Sequence, residues 1–115
     1  MPPKFIEQQS RIADFLLSEA PGYRSRENAV LAGPDEPLPA GQVLAVVGGK
    51  YVPYVAADAA TAPAAAILYA PAPASDTDLL VAVIVRDAEV AEALLVDVDA
   101  AAIADLVDVG IIVRD

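Results

Sequence analysis

The chain contains no cysteine, no histidine and no tryptophan. Without cysteine there is neither a disulfide framework nor a thiolate metal site; without histidine the commonest general base and metal ligand are missing. Any catalysis would fall to carboxylates, lysine, tyrosine or serine. Aromatics amount to four Tyr and two Phe, so the core must be aliphatic and rings for stacking on sugars are scarce. Basic residues are few as well. Seven Lys and Arg stand against 17 Asp and Glu, a formal net charge of −10, which argues against any surface that sheathes phosphate and so against direct nucleic-acid binding. The N-terminal MPPKFIEQQSRIADFLLSEA has no apolar run of signal or membrane-spanning length, because Glu7, Arg11 and Asp14 interrupt it. A cytosolic product with no membrane partner is expected.

What is present fits one small domain. A chain of 115 residues and 11.8 kDa would bury roughly two thirds of its unfolded surface. The 57% hydrophobic content overstates the core, since much of it is alanine, whose methyl group contributes little burial energy.

The most informative stretch is PLPAGQVLAVVGGKYVPY, residues 37 to 54. Leu38-Pro39-Ala40-Gly41 fits a type I turn, with Pro at the second position and Gly at the fourth. Gln42 to Val47 has apolar side chains at every position from Val43 on, which predicts a strand covered on both sides. Gly48-Gly49 supplies the positive φ pair of a I′ hairpin, and Lys50 to Tyr54 is the returning strand. Pro53 cannot donate to a ladder, so that strand lies at an edge or ends there.

Further strands are predicted at Ala29 to Ala32, Ala66 to Ala70, Leu79 to Val85 and Ile111 to Val113, the third as a central strand apolar on both faces. The Ala-rich segment 55 to 66 and the Pro-punctuated segment 71 to 76 read as loops. Asp87 to Val96 fits helix and strand equally. Asp99 to Val109 is the better helix: Asp99 can cap it, Ile103, Leu106 and Val107 form an i, i+3, i+4 stripe, and Gly110 suits the C′ position.

Residues 1 to 22 read as an arm separate from a body spanning 23 to 115, because Pro2-Pro3 keeps its start out of a helix and Pro21-Gly22 breaks the chain. Its apolar cluster Phe15-Leu16-Leu17 either packs on its own domain or waits for another surface. Tyr23-Arg24-Ser25-Arg26-Glu27 is the one locally basic patch, readable as a solvated strand lead-in.

No motif here carries chemistry. Gly49-Lys50 lacks the earlier glycine and the following Ser or Thr of a phosphate-binding loop, their places being held by Leu44 and Tyr51. Asp76 and Asp78 lack the bidentate Glu of a calcium loop. Pairs such as Asp97 with Asp99, or Glu89 with Glu92, are no more numerous than the composition implies. No catalytic, cofactor-binding or metal-binding residue is assigned, and no cofactor and no enzymatic activity are expected.

In order, DFLLSEAPGYRSRE, PLPAGQVLAVVGGKYVPY, AAILYA, a Pro-rich loop, LLVAVIVRDAEV and a helix ending in GIIV resemble the head decoration proteins of lambda-like tailed phages, over about residues 14 to 115. The resemblance implies a mainly β (α+β) fold of β-clip type with a minor helix, a flexible N-terminal arm and a homotrimer. It implies a virion protein that binds the major capsid protein on the outside of the expanded phage head, at three-fold and quasi-three-fold sites, and braces the shell against DNA pressure. The arm would become ordered on the shell, partly by strand pairing. The matched string makes Phe15, Leu16, Leu17, Arg24, Ser25 and Arg26 the candidate capsid-binding residues. A fully extended arm would reach about 70 Å. Copies at −10 repel, so their mutual contacts must be apolar or locally complementary, with Val, Leu and Ala on the second face of the central strands as candidates. The competing reading is another β-rich interaction module, such as a phage tail adaptor or a carbohydrate-binding domain.

Overall fold

The computed structural model describes residues 15–19, 25–58 and 62–115. These form eight strands and one helix: β1 (Leu16–Glu19), β2 (Arg26–Leu31), β3 (Val43–Val47), β4 (Lys50–Pro53), β5 (Ala64–Leu68), β6 (Leu79–Ile84), β7 (Ala88–Ala91), α1 (Ala100–Asp108) and β8 (Ile111–Arg114). The fold is mainly β with one short helix. Strands β2-β4-β3-β5-β6 close a barrel, and β1-β7-β8 make a separate three-stranded sheet.

The hairpin forms as its glycines require. Gly48 and Gly49 both have positive φ, 61° and 82°, and Val47 pairs with Lys50 across the turn, as a I′ turn demands. The entry turn is displaced by one residue from the predicted frame. Gln42 N–H donates to Pro39 O at 3.3 Å and Gly41 has φ 92°, which puts the positive φ at the third position of a type II turn, not a type I. β4 ends at Pro53, where the missing N–H stops the ladder. It is not a free edge, because the closed barrel sets it between β2 and β3.

Alternation along the barrel strands divides the core in two. Leu31, Leu44, Ala66, Leu68, Ala72 and Val83 fill the barrel. Val43, Ala45, Ile67 and Ile84 face the other way, meeting Phe15, Val90, Leu106 and Ile111 from β1's N-terminal end, the small sheet and the helix. A register shift between Leu44 and Ala45 lets Ala64 and Ile67, three residues apart, serve the same cluster.

Several sequence expectations are corrected. β3 is covered on both sides only to Ala45; Val46 and Val47 are exposed at the hairpin tip. β6 is flanked by β2 and β5, yet Leu80 on its outer face is exposed. The strand predicted from Ala66 begins at Ala64, because Ala64 pairs with Ala45 of β3 across a register shift; its N–H donates to Asp105 Oδ2 at 3.2 Å. Segment 87 to 96 resolves into strand β7 followed by a 3-10 turn at Glu92–Leu94. Helix α1 is capped by Asp99, which accepts from Ala102 N, but it buries Ala102 and Leu106 while Val107 is exposed. The small Ala102 lets the helix lie close against the barrel. Residues 16 to 19, placed in the arm from the sequence, are a strand of the folded body, antiparallel to β7.

Candidate functional site

Strand β1 is short and would be marginal alone; two anchors hold it. At its N-terminal end Phe15 is fully buried and its carbonyl accepts from Ala91 N at 2.8 Å. At the other end the Glu19 carboxylate accepts from Ser25 Oγ and from both the Nε, at 3.1 Å, and a terminal nitrogen of Arg26. The guanidinium lies 4.2 Å from the Tyr69 ring centroid, a cation–π arrangement that holds it flat. The Arg26 hydrogen bond is the largest influence on Glu19 and, with Ser25, holds its carboxyl below the usual value against the opposing effect of burial.

Between these anchors the chain turns outward. A register irregularity between Leu16 and Ser18 leaves Leu17 55% exposed. Across the same sheet Glu89 is level with Ile112, and Ile112 is 45% exposed. Arg114 Nε meets Glu89 Oε1 at 2.7 Å on that face. A hollow of about 230 Å³ lined by Ser18, Asp87, Glu89, Gly110 and Ile112 lies alongside. Because β1 is the last strand of its sheet, its second edge has no strand partner among the described residues. An open edge beside exposed apolar side chains suits strand addition with side-chain specificity.

The sequence-derived residues therefore divide. Phe15 and Ser25 are buried, Leu16 packs against the core, and Arg26 is engaged with Glu19 and Tyr69. Leu17 alone of the described candidates offers a large apolar surface, and Arg24 lies outside the described residues. Of the two readings of the cluster, Phe15 and Leu16 pack on their own domain. Sequence reasoning missed Ile112, which a short apolar run disguised as core, and Glu19, whose role depends on a partner brought in by the fold.

Four of the carboxylates noted in the sequence, Asp78, Glu89, Asp97 and Asp99, serve as structural ties. Asp78 Oδ2 meets Lys50 Nζ at 2.6 Å, and this hydrogen bond keeps the Asp78 carboxyl below its usual range. Asp97 accepts from the buried Gln42 amide at 2.8 Å, while Asp99 caps the helix. A depression of about 490 Å³ runs between the 33–39 loop, Gln42 and Asp97. Among the described residues no group of three or more His, Cys, Asp or Glu is placed to hold a metal.

A small β body with an acidic surface, an apolar edge sheet and carboxylates that serve as structural ties has the character of an interaction protein. The family model of the bacteriophage lambda head decoration protein D matches residues 5–111, and the chain belongs to that family. It is thus a phage head component with a capsid-decoration role, in a family of structural capsid decoration proteins. Neither a curated protein nor a solved structure matches the chain.

Proposed function

We propose that the protein binds as a homotrimer to the outside of the expanded head, at three-fold and quasi-three-fold positions, and stabilises the shell against the pressure of packaged DNA. The observation that carries the proposal is the family match over residues 5–111; the mainly β body accommodates the β-clip assignment that goes with it. Residues 1 to 22 act as the capsid-binding segment, of which β1 is the part that belongs to the folded body. β1 docks on the body through Phe15 and Glu19, and it presents Leu17 and an open strand edge at the root of the arm. Three such segments on one trimer act by avidity, so each can bind weakly.

Adding the protein to expanded heads and reconstructing them by electron cryomicroscopy tests this. Density outside the shell at three-fold and quasi-three-fold positions is expected; density confined to vertices or tail, or none, refutes it.

A further inference from the structure

The outer wall of the barrel between β2 and β6 carries an exposed apolar cross-strand pair. The register Arg26↔Ile84, Asn28↔Ala82, Val30↔Leu80 places these six residues on one face, since the alternating positions Ala29, Leu31, Val81 and Val83 belong to the barrel interior. Ile84 is covered by the second core and Arg26 by Glu19 and Tyr69. Beyond them the wall is open. Leu80 is 74% exposed, the highest value among the exposed large hydrophobic residues described, and its cross-strand partner Val30 is 41% exposed. Beside this apolar ridge lies a hollow of about 340 Å³ lined by Arg26, Glu27, Asn28 and Ala82.

Charge identifies the occupant. All four described cations are engaged by acids: Arg26 with Glu19, Lys50 with Asp78, Arg86 with Glu27 and Arg114 with Glu89. Outside the described residues Lys4, Arg11 and Arg24 stand against Glu7 and Asp14, so the acid excess resides on the body. Two such bodies can approach only where neither presents an uncompensated carboxylate. The β2–β6 wall meets that condition: none of its six outward residues is acidic, and Glu27, the hollow's one carboxylate, is held by Arg86.

We propose that the outer face of β2 and β6, with Val30 and Leu80 as ridge and the Arg26–Asn28–Ala82 hollow as groove, is the contact through which copies of this chain associate. The assignment rests on the trimeric reading above and gives it a surface. It leaves the β1 edge and Leu17, on the other sheet, for the shell.

Light scattering on the full chain tests it, comparing wild type with Leu80→Asp and with Val107→Asp, a charge at an exposed helix position outside the wall. A trimeric wild type, a monomeric Leu80→Asp with at least about a hundredfold weaker association, and a trimeric Val107→Asp are expected. Because the chain has no cysteine, a nitroxide at Asn28→Cys supplies a readout independent of that variant's folding: it is immobilised in the trimer and mobile on dilution to monomer. A trimer that survives Leu80→Asp with a mobile label overturns this assignment and leaves the trimeric reading standing. A monomeric wild type overturns both. Loss of head binding by Leu80→Asp with its trimer mass intact would give the wall to the shell and also overturn the assignment.

Discussion

Tyr54 and Asp99 are joined across the body: the phenol donates to Asp99 Oδ1 at 3.1 Å, and the same oxygen accepts from Ala102 N at 2.7 Å. One carboxylate thereby ties the end of β4 to the first turn of α1. Asp99→Ala should destabilise the protein by about 1 kcal/mol from the lost cap alone, read as a lower midpoint in urea, whereas Asp99→Asn should retain most of the cap.

Tyr54 also sets an alkaline limit. Burial, reinforced by the Asp99 hydrogen bond, raises its hydroxyl above 10.0. The folded state therefore holds this proton more tightly than the unfolded chain does, and its contribution is complete below 10.0 and lost as pH rises through the folded value. Tyr51 adds to this limb, raised chiefly by burial and then by Glu27. Unfolding followed by circular dichroism at rising pH should show a shallower alkaline loss in Tyr54→Phe than in wild type; an unchanged slope would remove Tyr54 from the account.

Glu19 sets the acid limit in the opposite sense. Its carboxyl is lowered below 4.5, first by the Arg26 hydrogen bond, so the stability it contributes is present above 4.5 and lost as pH falls through the folded value. Since water still reaches the pair, Glu19→Gln should cost about 1 kcal/mol or less near neutrality. Hydrogen exchange should locate the loss in β1 and β7, and the acid limb should flatten.

Gly41 stands where another backbone leaves no room for a side chain. A Cβ there would lie 2.5 Å from Leu94 O, and φ is +92°. Gly48 also has positive φ, yet nothing stands within 4 Å of its Cβ position. Gly41→Ala should therefore cost about 2–4 kcal/mol and Gly48→Ala about 1 kcal/mol, measured as the difference in urea midpoints.

Phe15 and Leu17, two residues apart, should separate stability from binding. Phe15→Ala removes a fully buried ring and should cost about 3–5 kcal/mol. Leu17→Asp, at an exposed position, should leave the thermal midpoint within a few degrees of wild type while head binding falls at least tenfold. Unchanged binding by Leu17→Asp would place the capsid contact elsewhere.

How legible the fold was depends on how local its determinants are. The 42–54 hairpin could be read because Gly-Gly and Pro53 fix their own φ or remove their own donor, and Asp99 could be read as a cap because its target is three residues away. Barrel closure could not: it joins β2 to β6 and, through the single pair Leu31↔Tyr51, to β4, pairings that no local pattern encodes. In β1 the bulge hides the alternation of Leu-Leu-Ser-Glu, so a strand looked like part of a tail. Leu80 sits in an unbroken apolar run that reads as buried on both faces; only the barrel shows which face stays open. The family resemblance rested on segment order and several local strings, which survive where side-chain orientation cannot be read.

The central claim is that this chain recognises the expanded phage head, and co-sedimentation with purified heads before and after expansion tests it most directly. Saturable binding to expanded heads, at three copies per three-fold and quasi-three-fold position and with no uptake by unexpanded ones, is the expected result. Equal uptake by both forms, or none by either, would contradict it.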